Sequence, residues 1–139
     1  IEQAITIPLL HIADATAEQL TADGITRVGL LGTRFTMEQD FYTGRLEKQF
    51  GIEVLVPERT ERDTIHRVIF DELCQGRVED VSRQRYLAII DSLHAQGAQA
   101  VILGCTEIAM LVGQRDTAVP LYDTTALHAQ RAVAWALAK

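Results

Sequence analysis

The sequence predicts an α/β domain: a three-layer sandwich in which a four-stranded parallel sheet is covered by helices on both faces. Three observations predict it. Short apolar runs recur at Val28 to Leu31, Ile52 to Val56 and Ala100 to Gly104, without polar-apolar alternation. Longer segments between them carry apolar residues at helical spacing. Glycines stop those segments at Gly51, Gly76 and Gly97.

The elements follow in chain order. Ile5 to Ile12 is strand-like but interrupted by Pro8, and Asp14 to Asp23 reads as a polar helix ending at Gly24. Val28-Gly29-Leu30-Leu31 is a buried strand. Thr36 to Phe50 is a helix with Tyr42, Leu46 and Phe50 on one face, and Thr36 with Gln39 fits a capping box. Ile52 to Val56 is the second strand, closed by Pro57. Glu61 to Gln75 is a helix with Ile65, Val68, Ile69 and Leu73 on one stripe; Glu58 to Asp63 alternates in sign and reads as its solvated start. Ser82 to Gln96 repeats the pattern with Tyr86, Ile89, Ile90 and Leu93, and Ser82 is the expected N-cap. Ala100 to Gly104 is the third strand. Ala118 to Tyr122 is a short fourth, with Pro120 marking an edge or strand end. Thr124 to Ala138 is an Ala-rich last helix. Right-handed crossovers complete the expected topology.

Composition narrows the function classes. The 139 residues form one domain's worth of chain, with 47% hydrophobic residues. Net charge is −6 and there is no basic stripe, so nucleic acid is not an expected partner. No apolar run reaches the roughly 18 residues that span a bilayer, so no membrane partner is expected. Two cysteines, Cys74 and Cys105, make no disulfide framework and fit a reducing, cytoplasmic setting. The first residues carry no signal-peptide pattern, and the chain starts at Ile1 rather than Met. It is expected to be cut from something longer, or processed.

Ligands of open α/β sheets bind beyond the carboxyl ends of the strands. Three segments fall there: Gly32-Thr33-Arg34-Phe35-Thr36, Gly104-Cys105-Thr106-Glu107 and Asp123-Thr124-Thr125. Cys105 follows a buried strand and a Gly, at a turn into a helix. The N–H groups of Thr106 and Glu107 at that helix start favour an anion. They can hold a substrate carboxylate and lower a thiol pKa from about 8.5. Glu107 pulls the other way, since a carboxylate disfavours a thiolate. The competing reading of Cys105 is a small buried hydrophobe at a strand end. The Thr33-Thr36 loop offers two hydroxyls and free N–H groups to a carboxylate, or is a plain helix cap. It is neither a Walker loop nor a dinucleotide fingerprint.

The remaining candidates read mainly as structure. Cys74 lies one helical turn after Phe70 and is expected to pack. His11 is a boundary residue with a possible ligand role. His128 reads as a satisfied helical residue, and His66 and His94 as solvated. No group has zinc-site spacing, so no metal is expected.

Gly104-Cys105-Thr106-Glu107-Ile108 after Val101-Ile102-Leu103 resembles the second cysteine motif of the aspartate/glutamate racemase superfamily. Leu30 to Met37 resembles the loop after the first strand of that family's second domain. Pro8 to Ile12 and Val119 to Thr124 resemble two further stretches, so nearly the whole chain is covered. Glutamate racemases proper carry His where this chain has Glu107, and the aspartate/glutamate branch is the closer match.

The resemblance implies racemisation of an amino-acid substrate with no cofactor, neither pyridoxal phosphate nor metal. Two facing residues, usually cysteines, exchange protons with the α-carbon. It implies that Cys105 is one acid/base, that Thr106 and Glu107 bind the carboxylate, and that Thr33 and Thr36 are further substrate contacts. It implies one half of a two-domain pseudo-symmetric fold: 1–13 as inter-domain segment, 14–122 as the C-terminal catalytic half, and 123–139 as a helix packing on a missing N-terminal domain. That domain would supply the second acid/base, so the chain is expected to be inactive alone and to be a homodimer. Some family members carry a lysine where this chain has Cys74, which makes Cys74 a possible site residue and opens the side-chain specificity. Alternatives are a hydantoin racemase, a maleate isomerase, an arylmalonate decarboxylase, a non-catalytic amino-acid-binding domain, or a redox thiol protein.

Overall fold

A computed structural model describes residues 13–38 and 40–124. The Pro8 to Ile12 stretch, His11, Gln39, Thr125, His128 and all but the first residue of the Thr124 to Ala138 helix lie outside the described residues. Residues 13–22 are helical (α1). Then come β1 (Arg27–Leu31), α2 (Arg34–Glu38), α3 (Asp40–Phe50), β2 (Glu53–Leu55), α4 (Arg59–Asp71) and a 3-10 turn at Leu73–Gln75. The chain continues with α5 (Asp80–Ala95), β3 (Ala100–Leu103), α6 (Ile108–Leu111), a second 3-10 turn at Gln114–Asp116 and β4 (Leu121–Asp123).

The four strands form one all-parallel sheet in the order β2-β1-β3-β4. The expected fold class therefore holds. Successive strand residues point to opposite faces, and each face has its own core. On one side Leu31, Val101 and Leu103 meet Ile65, Val68 and Ile69 of α4 and Tyr86, Ile90 and Leu93 of α5. On the other, Val28, Leu30, Ala100 and Ile102 meet Ala13, Ala17 and Leu20 of α1 and Leu46 of α3. Burial on both faces explains why β1 and β3 read as unbroken apolar runs. β4 lies at one edge of the sheet, directly after Pro120, whose carbonyl accepts the Val101 N–H.

Several boundaries differ from the sequence reading, β4 among them, which starts at Leu121 rather than Ala118, and three of the differences have a local reason. Thr36 does not start its helix. Thr33 does, its Oγ1 accepting the Thr36 N–H at 3.3 Å while its carbonyl accepts the Met37 N–H. Ser82 is no N-cap either, because α5 already begins at Asp80 after Glu79. The Ser82 hydroxyl instead donates to Glu72 at 2.6 Å, where both side chains are buried. The α4 segment ends at Asp71, and a 3-10 turn carries the chain to Gly76 at φ +79°. The Gln75 and Arg77 N–H groups both bond to the Glu72 carbonyl there.

The start of α4 is mostly exposed, as its alternating charges suggest, and its charges are paired. Arg62 pairs with Glu38 of α2, and Asp63 pairs with Arg34 at 2.9 Å. A bidentate pair of Arg45 with Asp14, at 2.8 and 3.0 Å, ties α3 to α1 and raises the Arg45 pKa.

Candidate active site

Parallel strands end on one edge, so the loops after β1 and β3 and the residue after β4 are neighbours. The register sets Leu31 beside Leu103, and Leu103 beside Asp123. Two bonds lock this edge. The Gly104 N–H donates to the Leu31 carbonyl at 2.7 Å, and the buried Thr124 hydroxyl donates to the Leu103 carbonyl at 3.1 Å.

Gly104 has no room for a side chain. A Cβ there would sit 2.9 Å from the Leu31 carbonyl oxygen and 3.4 Å from Thr36 Cγ2. The same crowding brings the Thr33-Thr36 loop against the Cys105 turn. Thr33 Oγ1 and Thr36 Oγ1 lie 3.2 Å apart in a hydrogen bond that either hydroxyl can donate. Gly32 is also crowded, since a Cβ there would sit 3.1 Å from Thr36 Cβ. Thus the first and second loops predicted from sequence do converge. From the third, Thr124 serves to hold the edge together.

Cys105 is half-buried and its thiol donates to Glu107 Oε2 at 2.9 Å. Burial pushes the thiol up to about 12; the bond to the Glu107 carboxylate adds to this, and Cys74 adds a smaller push. Against these, the Glu107 backbone N–H points at the sulfur and lowers it. Burial first, and the carboxylate second, outweigh the backbone N–H. The turn has little helix to offer: α6 runs only from Ile108 to Leu111, and the Ile108 N–H turns back to the Cys105 carbonyl at 3.2 Å. Thr106 is exposed at the turn's apex.

Cys74 is not a packing residue. It is exposed on the Leu73–Gln75 turn, which packs against α6. This turn is fixed from beneath by buried Glu72, which takes Ser82 Oγ at 2.6 Å and Arg67 Nη1 at 3.3 Å. Tyr86, also buried, donates to the Ile65 carbonyl at 2.8 Å, and burial raises its pKa far above the ordinary tyrosine range, with smaller contributions from Cys105 and Glu72. Sequence reasoning missed the Glu72-Ser82 contact, whose partners are joined only through the turn at Gly76.

The histidines take structural parts. His66 Nδ1 accepts the Arg34 N–H at 2.9 Å and its ring rests 4.6 Å from Phe70. It therefore caps the start of α2 rather than standing in solvent. His94 Nδ1 bonds to the Ala98 carbonyl at 2.9 Å. Among the described residues no three His, Cys, Asp or Glu side chains gather as a metal site, and no helix is long and apolar enough to cross a membrane.

The chain is similar to several known proteins. An Asp/Glu racemase structure from Yersinia pestis, provisionally assigned, shares 53% identity and a TM-score of 0.89 over 92% of this chain. An aspartate racemase homologue from Pyrococcus horikoshii OT3 shares 35% identity and a TM-score of 0.82 over 90%. Picrophilus torridus aspartate racemase shares 26% identity and a TM-score of 0.66 over 86%. The chain spans 56%, 54% and 49% of these three structures. A Pectobacterium carotovorum subsp. carotovorum protein of uncharacterised activity is 25% identical over 97% of this chain and 89% of its own length. The family model for Asp/Glu/Hydantoin racemase matches residues 1–132, and the chain belongs to that family.

Proposed function

We propose that the chain supplies the Cys105 side of a cofactor-independent aspartate/glutamate racemase. The observation that carries this reading is the position of Cys105. Its protonated thiol stands where the β1 and β3 loops meet, at the carboxyl edge of the sheet. Three of the similar structures bear racemase or racemase-homologue names.

The chemistry follows from the thiol's state. A thiol pushed up to about 12 holds its proton at neutral pH, so Cys105 rests as an acid. It can donate to a carbanion on its own side of the α-carbon while a facing base withdraws the α-proton from the other. Run backwards, Cys105 is the base. The facing group belongs to a domain preceding residues 14–122, with 1–13 as the connection and 123–139 packing on it. Donors on the substrate carboxylate stabilise the developing carbanion; Thr33, Thr36, Thr106 and the Glu107 turn line the place for it. Cys74, exposed on the Leu73–Gln75 turn, is the candidate contact for the substrate's side chain. The active form is a cytoplasmic homodimer, and its reaction uses neither pyridoxal phosphate nor metal.

The test is α-proton exchange. The chain joined to its preceding domain is incubated with L- or D-aspartate and with L- or D-glutamate in D₂O, and α-deuterium is followed by NMR. Exchange with inversion is expected, and its loss in Cys105→Ser. Absence of exchange with all four amino acids would overturn the reading in favour of a hydantoin, maleate or binding role. Exchange by residues 1–139 alone would overturn the half-site.

A further inference from the structure

The start of α2 is anchored twice, and only one anchor is local. Thr33 supplies the first: its Oγ1 takes the Thr36 N–H and its carbonyl takes the Met37 N–H. The second comes from another helix. His66 of α4 takes the Arg34 N–H on Nδ1 at 2.9 Å. With 5 residues, α2 is too short to hold its shape by its own hydrogen bonds. Its start sits where the two anchors put it. The same piece of chain lines the site. Thr36 Cγ2 lies where a Cβ at Gly104 would meet it at 3.4 Å, directly before Cys105, and Thr33 and Thr36 are the candidate substrate contacts.

A backbone N–H can only donate. While this bond exists Nδ1 of His66 carries no proton, and the ring's hydrogen is on Nε2. A second proton would go to Nδ1, and two N–H donors would then face each other. The ring is also held at 4.6 Å from Phe70, so it keeps pointing at the amide it has lost. The charged side chains within one helical turn of the contact are Arg34 and Glu38 on α2, and Arg62, Asp63 and Arg67 on α4. All are matched: Arg34 with Asp63, Arg62 with Glu38, and Arg67 with Glu72. Of the residue types gathered here, histidine is the one that changes charge between pH 5 and 8.

We infer that His66 is a positioning residue for the Thr33-Thr36 loop, and that its protonation frees the loop and weakens the hold on the substrate. The neutral ring holds the loop at the upper end of the range, and the charged ring releases it at the lower end. The consequence for substrate rests on the racemase reading, whereas the coupling of His66 to the Arg34 N–H does not.

The experiment uses the chain joined to its preceding domain, between pH 5.5 and 8. The Arg34 amide is followed by two-dimensional proton–nitrogen NMR beside the His66 ring signals, and KM and kcat for aspartate by α-deuterium exchange. Two variants separate the bond from the packing. His66→Asn places an acceptor oxygen where Nδ1 stands but cannot titrate. His66→Phe keeps a ring against Phe70 and has no acceptor. In the wild type the Arg34 amide proton should move upfield as the ring is protonated. KM should rise about fivefold, the equivalent of one hydrogen bond, with a smaller change in kcat. His66→Asn should keep the wild-type pH 8 behaviour throughout, and His66→Phe the low-pH behaviour. An Arg34 amide indifferent to the titration of His66 would overturn the inference, and so would a KM rise that persists in His66→Asn. If His66→Asn does not fold, the wild-type amide and the KM of His66→Phe decide. An Arg34 amide that follows His66 in a protein exchanging no α-proton would keep the control of the loop and sink the racemase reading, so the two fail separately.

Discussion

The Cys105 thiol donates a hydrogen bond to the Glu107 carboxylate across 2.9 Å, two residues apart on a turn crowded enough at its start to favour glycine. Stability, reactivity and the candidate chemistry all depend on that arrangement.

The first consequence is alkaline sensitivity. Cys105 is raised from 9.0 to about 12, chiefly by burial, so the folded state holds this proton more tightly than the unfolded chain. Its contribution to stability is complete below pH 9 and drains as the pH rises from 9 towards 12. Tyr86 and Tyr122, also raised by burial, act in the same direction at higher pH. Urea unfolding at pH 7.5, 9 and 10.5 should show progressive loss in the wild type and a smaller loss in Cys105→Ser. Equal slopes would contradict the assignment.

Gly104→Ala should cost roughly 1–3 kcal/mol, because the new methyl meets backbone rather than a yielding side chain. The Leu31 carbonyl can retreat only by loosening its bond to the Gly104 N–H. Chemical denaturation gives the cost. The movement should also expose Cys105, seen as faster alkylation at pH 8.

Ser82→Ala should destabilise the protein by about 1–3 kcal/mol, since it leaves the Glu72 carboxylate, only 8% exposed, without its shortest partner. Ser82→Thr, which keeps the hydroxyl, should recover part of this. The Leu73–Gln75 turn should loosen as well, measured as faster amide exchange at Gln75 and Arg77, which bond to the Glu72 carbonyl.

Thr33→Val removes the cap on the Thr36 N–H and the partner of the Thr36 hydroxyl. A loss of about 1 kcal/mol is expected in thermal unfolding. In the complete enzyme KM for the amino acid should rise more than kcat falls. Thr33→Ser should reverse both effects.

Much of this fold was legible in the sequence because burial on both faces leaves a plain signature. Val28 to Leu31 and Ala100 to Leu103 read as buried strands, and Ile65, Val68 and Ile69 marked the buried face of α4. What escaped was set by side-chain choices that periodicity does not carry. Ser82 reads as a cap by type, yet its hydroxyl is drawn inward by Glu72, a pairing made only once the chain has turned at Gly76. His66 looks solvated on its helix until α2 brings the Arg34 N–H to it. At the site, the Gly-Cys-Thr-Glu string located the thiol but left its ionisation open. The balance between the Glu107 N–H and the Glu107 carboxylate depends on how deeply the sulfur is sunk, and burial is a property of the folded chain.

The strand order also bears on how this chain is made. Among the four described strands β1 is synthesised first but lies inside the sheet, with Val28 paired to Ala100 and Leu31 to Leu103. During translation it can pair on one side with β2, while its other edge waits for most of the chain to leave the ribosome. The interval is long, and the waiting edge is apolar, a condition that favours mispairing with neighbouring chains. Variants that weaken β3 should therefore lower soluble yield before they lower the stability of whatever folds.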